Sequence, residues 1–163
     1  MQIKYLGDEK FEIKAKEAVV SLSDNISVNG FVFPGAGEYE KSGVFIEGIA
    51  TNGDVIYLVR TEDMKLCYLG KMSNELSDEE AKEIGDVDIL FLPLGENGSM
   101  EIKKALKVLS KIDPRIVIPM LYSSLDEFKK SEGIHDGEIP MLKIKKDELP
   151  VDERRNIILT PGQ

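Results

Sequence analysis

Residues 87–119 read VDILFLPLGENGSMEIKKALKVLSKIDPRIVIP, and this stretch decides the fold class. Val87 to Leu92 is nearly continuous in apolar residues, the pattern of a strand covered on both faces. After it, Ile102, Ala105, Leu106, Leu109 and Ile112 recur at the spacing of one helix face, and Asp113-Pro114 stops the helix. Arg115 to Pro119 is a second buried strand. Strand, amphipathic helix and strand in about 30 residues make a parallel βαβ unit. Gly95-Glu96-Asn97-Gly98-Ser99 then reads as a strand-to-helix turn, with Ser99 opening the helix. It lacks the GxxxxGK and GxGxxG spacings of phosphate-cradling loops, and Glu96 adds a negative charge.

Upstream of this unit the pattern changes to short strands with turn punctuation. Met1 to Leu6 and Lys10 to Lys14 flank a Gly7-Asp8 turn, with Phe11 and Ile13 alternating against charges. Ala18 to Leu22 and Phe31 to Phe33 follow, and Pro34-Gly35-Ala36-Gly37 forms a turn that needs positive φ. Gly43 to Ala50 and Asp54 to Arg60 enclose Asn52-Gly53, a strong hairpin signal. Lys65 to Leu69 completes the meander. Ser77-Asp78-Glu79-Glu80 is a capping box that starts a short helix ended by Gly85. A second such box, Ser124 to Glu127, predicts a helix ended by Gly133. Two strands, Met141 to Ile144 and Asn156 to Thr160, close the chain. Strands first, then strands mixed with helices, predict an α/β sandwich of sheets with helices outside. No linker or repeat divides residues 1–163, so one domain is expected.

Composition narrows the function classes. A chain of 163 residues buries roughly 70% of its unfolded surface and needs no disulfide or structural metal to hold a core. The lone Cys67 lies in an apolar run and reads as a small buried hydrophobe. With no signal-peptide pattern and no apolar run of membrane-span length, a cytoplasmic location is expected. The net charge is −9, and nine acids between Met72 and Glu101 face Lys82 alone. Such a face repels phosphate backbones and anionic lipid, so nucleic-acid and membrane partners are not expected. Lys143, Lys145 and Lys146 are followed at once by Asp147 and Glu148 and read as a solvated face. The one histidine, His135, lies in a polar loop after a helix end and reads as a surface residue. Mechanisms that need two imidazoles from one chain are excluded. Ser21 and Ser23 have no base arranged for a triad.

Several short motifs, in order, resemble those of the metallo-β-lactamase-fold hydrolases, in the small branch of zinc-dependent hydrolases related to ascorbate-lactone hydrolases. Tyr5-Leu6-Gly7 resembles the opening strand and turn of that family, and Gly37-Glu38-Tyr39-Glu40 with Gly43-Val44 resembles its Gly-Glu-Tyr-Glu segment. Tyr68-Leu69-Gly70-Lys71-Met72 sits where the family has His-Leu-Gly-Asp-Leu. Val87 to Gly95 resembles the strand that ends in Pro-Val-Gly, and Ile118-Pro119-Met120-Leu121-Tyr122 sits where the family has Ile-Pro-Met-His-Tyr. The resemblance implies an αββα sandwich with mixed sheets, shortened near the usual metal-binding loop, where Ser21 reaches Phe31 quickly. That shortening is expected to close the pocket.

The departures from the family pattern carry the functional expectation. Its chemistry depends on zinc held by imidazoles and carboxylates. Here Leu22 matches the first ligand position, with Asp24 nearby, Tyr68 stands at the next histidine, Lys71 at the bridging aspartate and Leu121 at the last histidine. A leucine has no lone pair to offer a metal. The Lys71 ammonium would place one fixed positive charge where relatives hold two ions, neutralising Asp24 or another acid; the alternative is that it points to solvent. A role for Lys71 as nucleophile or base has no other support in the sequence. These positions, with Asp8, form the expected degenerate pocket, with no catalytic residue, metal or cofactor. The expectation is a pseudoenzyme with a binding or assembly role, as a homo-oligomer or a partner of an active relative. The alternative is a residual hydrolase acting on a lactone, ester or phosphodiester through Asp8, Asp24, Lys71 or neighbouring acids. A structural subunit is a third reading and predicts a large self-complementary apolar patch.

Overall fold

The computed structural model describes residues 1–95 and 100–162. In chain order the elements are β1 (Gln2–Gly7), β2 (Lys10–Ala15), β3 (Ala18–Leu22), β4 (Ser27–Val28), β5 (Phe31–Val32), β6 (Gly37–Lys41), β7 (Val44–Thr51), β8 (Asp54–Thr61) and β9 (Met64–Tyr68). Then come α1 (Asp78–Ile84), β10 (Ile89–Pro93), α2 (Ile102–Ile112), β11 (Ile116–Met120), α3 (Asp126–Glu132), β12 (Leu142–Lys143), a 3-10 turn (Lys146–Glu148) and β13 (Arg155–Asn156).

Period-two alternation in the first strands gives a sheet with one wet and one dry face. Its order is β12-β1-β2-β3-β4-β5, and each observed pairing is antiparallel. Ile3, Tyr5, Phe11, Ile13, Val20 and Leu22 point inward, while Lys4, Glu12, Lys14 and Ser21 occupy the alternate positions. The second sheet has the order β13-β11-β10-β9-β8-β7-β6 and is mixed. Its β6 to β9 run antiparallel, and β9, β10, β11 and β13 run parallel. The predicted βαβ unit is therefore present, with Ile89 to Pro93 in register with Ile116 to Met120.

Two apolar layers hold the sandwich. Between the sheets, Phe11 stacks on Tyr5 at 4.8 Å and meets Phe91 of the opposite sheet at 4.6 Å. Each such buried side chain contributes roughly 1.5–3 kcal/mol by leaving water. On the other face of the second sheet, Leu58, Cys67, Leu90, Leu92 and Val117 pack under Ile84 of α1, Ala105, Val108 and Leu109 of α2 and Phe128 of α3. Coverage on both faces explains why β10 and β11 are buried throughout. Cys67 is buried and unpaired, and burial pushes its thiol up to about 12.

The sheet sandwich with outer helices follows the expectation. Among the described residues, however, all three helices pack on the outer face of the second sheet. The Ser77 capping box forms as read, with Ser77 Oγ accepting from the Glu80 N–H and the Glu80 carboxylate accepting from the Ser77 N–H. The second one does not form. Leu125, 6% exposed, takes the N-cap position of α3, and Ser124 Oγ accepts from the Asp126 N–H in a local turn. Helix α2 starts at Ile102 after Glu101, and Asp113 ends it in a left-handed conformation with φ 48°. Glu96 to Ser99, read as the turn that opens this helix, lie outside the described residues. His135 is exposed, as expected.

Lys146 departs from the solvated-face reading. Its ammonium lies 3.0 Å from Asp88, a buried carboxylate that also accepts the Lys65 backbone N–H at 2.8 Å and lies 3.6 Å from Arg115. Asp88 precedes β10, so this cluster sits at the end of the sheet where the parallel strands start. Gly48 shows why a central residue of β7 has no side chain. A Cβ there would come within 2.6 Å of the Gly35 carbonyl, where the turn into β6 crosses the strand.

Candidate functional site

At the opposite end of β9, three connections converge: the Asp8-Glu9 turn between β1 and β2, the Ser23 to Asn25 loop after β3, and Tyr68 to Lys71 at the end of β9. The Asp8-Glu9 turn is held by its carbonyls. Tyr5 donates its hydroxyl to the Asp8 carbonyl at 2.8 Å, the Leu121 N–H donates to the same oxygen at 3.2 Å, and Tyr68 donates to the Glu9 carbonyl at 2.8 Å. Tyr68 also lies 3.3 Å from the Ser23 carbonyl, so one phenol ties the two loops together. Burial, and then the charges of Glu9 and Asp24, push the Tyr68 phenol well above its ordinary pKa. It therefore stays a neutral donor. Burial raises Tyr5 to about 12 in the same way.

Lys71 reaches back across this junction. Its Nζ lies 2.8 Å from Asp24 Oδ1 and 3.2 Å from Glu9 Oε1. Glu9 is 7% exposed at its side chain, whereas Lys71 is 52% and Asp24 68% exposed, so the ammonium caps a buried carboxylate at the mouth of the site. Hydrogen bonds to Asp24 and then Glu9 raise the Lys71 pKa. Lys71 is accordingly a fixed charge rather than an amine nucleophile.

A pocket of about 240 Å³ opens beside Lys71, lined by Asp24, Asp54, Tyr57, Tyr68 and Gly70 among others. Of the six positions expected at a degenerate pocket, three lie here and three elsewhere. Asp24, Tyr68 and Lys71 line it, and the short loop after Ser21 leaves it open. Leu22, Asp8 and Leu121 do not line it. Leu22 is 1% exposed in the core between the sheets, because strand alternation turns it inward. Asp8 has an exposed side chain and contributes its carbonyl. Leu121 is half-buried against the inter-sheet core. Its φ of 59° is uncommon for a leucine, and its carbonyl meets Gly95 where a Cβ would come within 2.8 Å. Glu9 was not among the residues singled out by sequence, since a glutamate in a hairpin turn reads as solvated; the surrounding loops bury it.

These residues do not fit a zinc centre. Zinc takes deprotonated sulfur, imidazole nitrogen or carboxylate oxygen. Leu22 and Leu121 offer no donor atom, the Tyr68 phenol is neutral and already donating, and the Glu9 and Asp24 carboxylates are bridged by an ammonium. Among the described residues no three His, Cys, Asp or Glu side chains are grouped to hold a metal.

Two facing sheets with helices on an outer face, and polar loops gathered at one sheet end, define the class of sandwich built by the metallo-β-lactamase-fold proteins. Residues 5–121 match the family model described as the beta-lactamase superfamily domain, and the chain belongs to that superfamily. A metal-dependent hydrolase of Methanosarcina barkeri is 33% identical over 66% of this chain and 40% of its own length. The corresponding protein of Methanosarcina mazei is 35% identical over 50% of this chain and 31% of its own. The chain therefore spans well under half the length of these curated relatives. Among solved structures, a Zn-dependent hydrolase of the metallo-β-lactamase superfamily from Thermotoga maritima superposes with a TM-score of 0.82 at 20% identity, covering 98% of this chain and 100% of that one. Igni18, a metallo hydrolase from Ignicoccus hospitalis, gives a TM-score of 0.63 at 15% identity over 88% of this chain and 99% of that one. At these identities the likeness is one of fold.

Proposed function

We propose that this chain is a non-catalytic member of its superfamily, with a binding role, in which the Lys71 ammonium occupies the place that the family resemblance gives to metal. The observation that carries this reading is the pair of contacts from Lys71 to Asp24 and Glu9 at 2.8 and 3.2 Å. The ammonium already pairs with both Asp24 and Glu9, so a divalent ion held by these two carboxylates would have to displace it. The raised pKa of Lys71 and the committed phenol of Tyr68 leave neither as a base at neutral pH.

A second reading has its own support: the relatives in Methanosarcina are named metal-dependent hydrolases. It takes this chain as a residual hydrolase of a lactone, ester or phosphodiester. Hydrolysis of a generic lactone and a phosphodiester, assayed with and without a chelator, separates the two. The proposed reading expects no turnover above buffer in either condition. Turnover that the chelator abolishes would establish the hydrolase instead.

A further inference from the structure

We infer that the pocket beside Lys71 binds an organic cation, a primary ammonium or guanidinium group, seated between Asp54, Asp24 and the phenol of Tyr57. The inference rests on the reading that no metal occupies this end of the fold, and it names the class of ligand that such a site takes. Charge is the first argument. Asp24, Asp54 and the buried Glu9 face one ammonium, that of Lys71, so the site is negative after its internal pairing is complete. Asp54 makes no ion pair to any described residue. Anionic ligands are repelled by this set, and no group of three metal donors occurs among the described residues.

The second, independent argument is Tyr57. This residue is 5% exposed and lines the pocket. No side-chain hydrogen bond from its hydroxyl to another described residue is present, so a buried polar group that lines the pocket is left without a protein partner. Burial, and then Tyr39, hold the phenol above its ordinary pKa, so it stays a neutral hydroxyl. A neutral phenol oxygen accepts a hydrogen bond from an N–H cation, and the tyrosine rings offer it π faces. Asp54 starts β8 beside Thr51, whose hydroxyl donates to the Glu80 carboxylate at the start of α1. At about 240 Å³ the pocket accommodates the end of a lysine or arginine side chain, or a small free amine.

The test is a titration followed by the ring signals of Tyr57 in NMR, supported by intrinsic tyrosine fluorescence, which is readable because the chain has five Tyr and no Trp. The probes are n-butylamine, ethylguanidine and the blocked tripeptide acetyl-Gly-Lys-Gly-amide, with acetate and inorganic phosphate as anionic counterparts. The expected result is saturable shifts with the cationic probes, weakened by added salt, and none with the anions. Asp54→Asn is expected to weaken binding about tenfold and Tyr57→Phe a few-fold, with unchanged thermal melts. Tighter binding of the tripeptide than of butylamine would identify a protein side chain as the source, and equal binding a free amine. Absence of saturation with any cationic probe, saturation by phosphate, or equal affinity in wild type and Asp54→Asn would overturn the inference. Metal content is measured on the same preparation. Metal-free protein that ignores the amines defeats this inference alone, whereas stoichiometric zinc defeats the reading beneath it.

Discussion

Glu9 and Asp88 are the two carboxylates buried among the described residues, 6% and 8% exposed, and they lie at opposite ends of β9. Both are neutralised by lysine, yet the surroundings differ. Asp88 receives the Lys65 N–H and the Lys146 ammonium and lies near Arg115, while its own backbone bonds to Lys65 and Ile116 on the two neighbouring strands. It is a clamp at the base of the parallel strands. Glu9 has one ionic partner, the half-exposed Lys71, which it shares with the exposed Asp24 at a pocket mouth. A carboxylate with every acceptor satisfied serves the fold, whereas one capped by a single long side chain faces the solvent that a ligand would come from.

Variants sharpen that contrast. Removing the clamp by Asp88→Ala orphans a backbone N–H and separates Lys146 and Arg115 from their partner, and is expected to cost about 2–4 kcal/mol in urea unfolding. A smaller cost, about 1–2 kcal/mol, is expected for Lys71→Met, because it leaves the buried Glu9 without its cation but within reach of water. A loss as large as that of Asp88→Ala would break the distinction. The pH dependence has a defined sign. The folded-state pKa of Lys71 is raised by Asp24 and Glu9, so its contribution is complete below the ordinary lysine pKa near ~10.4 and is lost as pH rises through the higher folded value. Unfolding midpoints measured from pH 8 to 11 should fall more steeply for the wild type than for Lys71→Met.

Glu80 tests the same logic at a third carboxylate. It accepts from the Thr51 hydroxyl and the Ser77 N–H, and these bonds, Thr51 first, lower its pKa. Glu80→Gln is expected to cost about 1 kcal/mol, the size of a helix cap. In the wild type this contribution is present above the unfolded glutamate pKa near ~4.3 and is lost as pH falls through the lower folded value, which an acid titration of stability would show. The smallest effect is expected at Leu121. Leu121→Asn gives up a half-buried side chain but relieves the φ of 59°, so the net change should stay within about 1 kcal/mol, against the roughly 2–5 kcal/mol of a fully buried leucine such as Leu22 changed to alanine.

Much of the fold was legible because its signals are local. The Gly7-Asp8 and Asn52-Gly53 turns, the Ser77 cap and the apolar runs around α2 each specify their element within a few residues. The sequence left two readings of Lys71 open, pairing with Asp24 or another acid and pointing to solvent, and in the structure it pairs with Asp24 and Glu9. What escaped was decided at long range. Glu9 is buried by loops from β3 and β9, about 15 and 60 residues away in sequence, so its hairpin setting gave no hint. Lys146 was read with its neighbours Asp147 and Glu148, but its partner is Asp88. Ser124 failed as a cap because burying Leu125 sets where α3 begins. Tyr57, one of several tyrosines on apolar strands, carried no signal that it lines a pocket.

The claim that an ammonium stands in place of metal is tested most directly by elemental analysis of protein purified from zinc-supplemented culture. The account predicts far less than one zinc per chain, with Lys71 still paired to Asp24 and Glu9. One zinc or more bound per chain would contradict it.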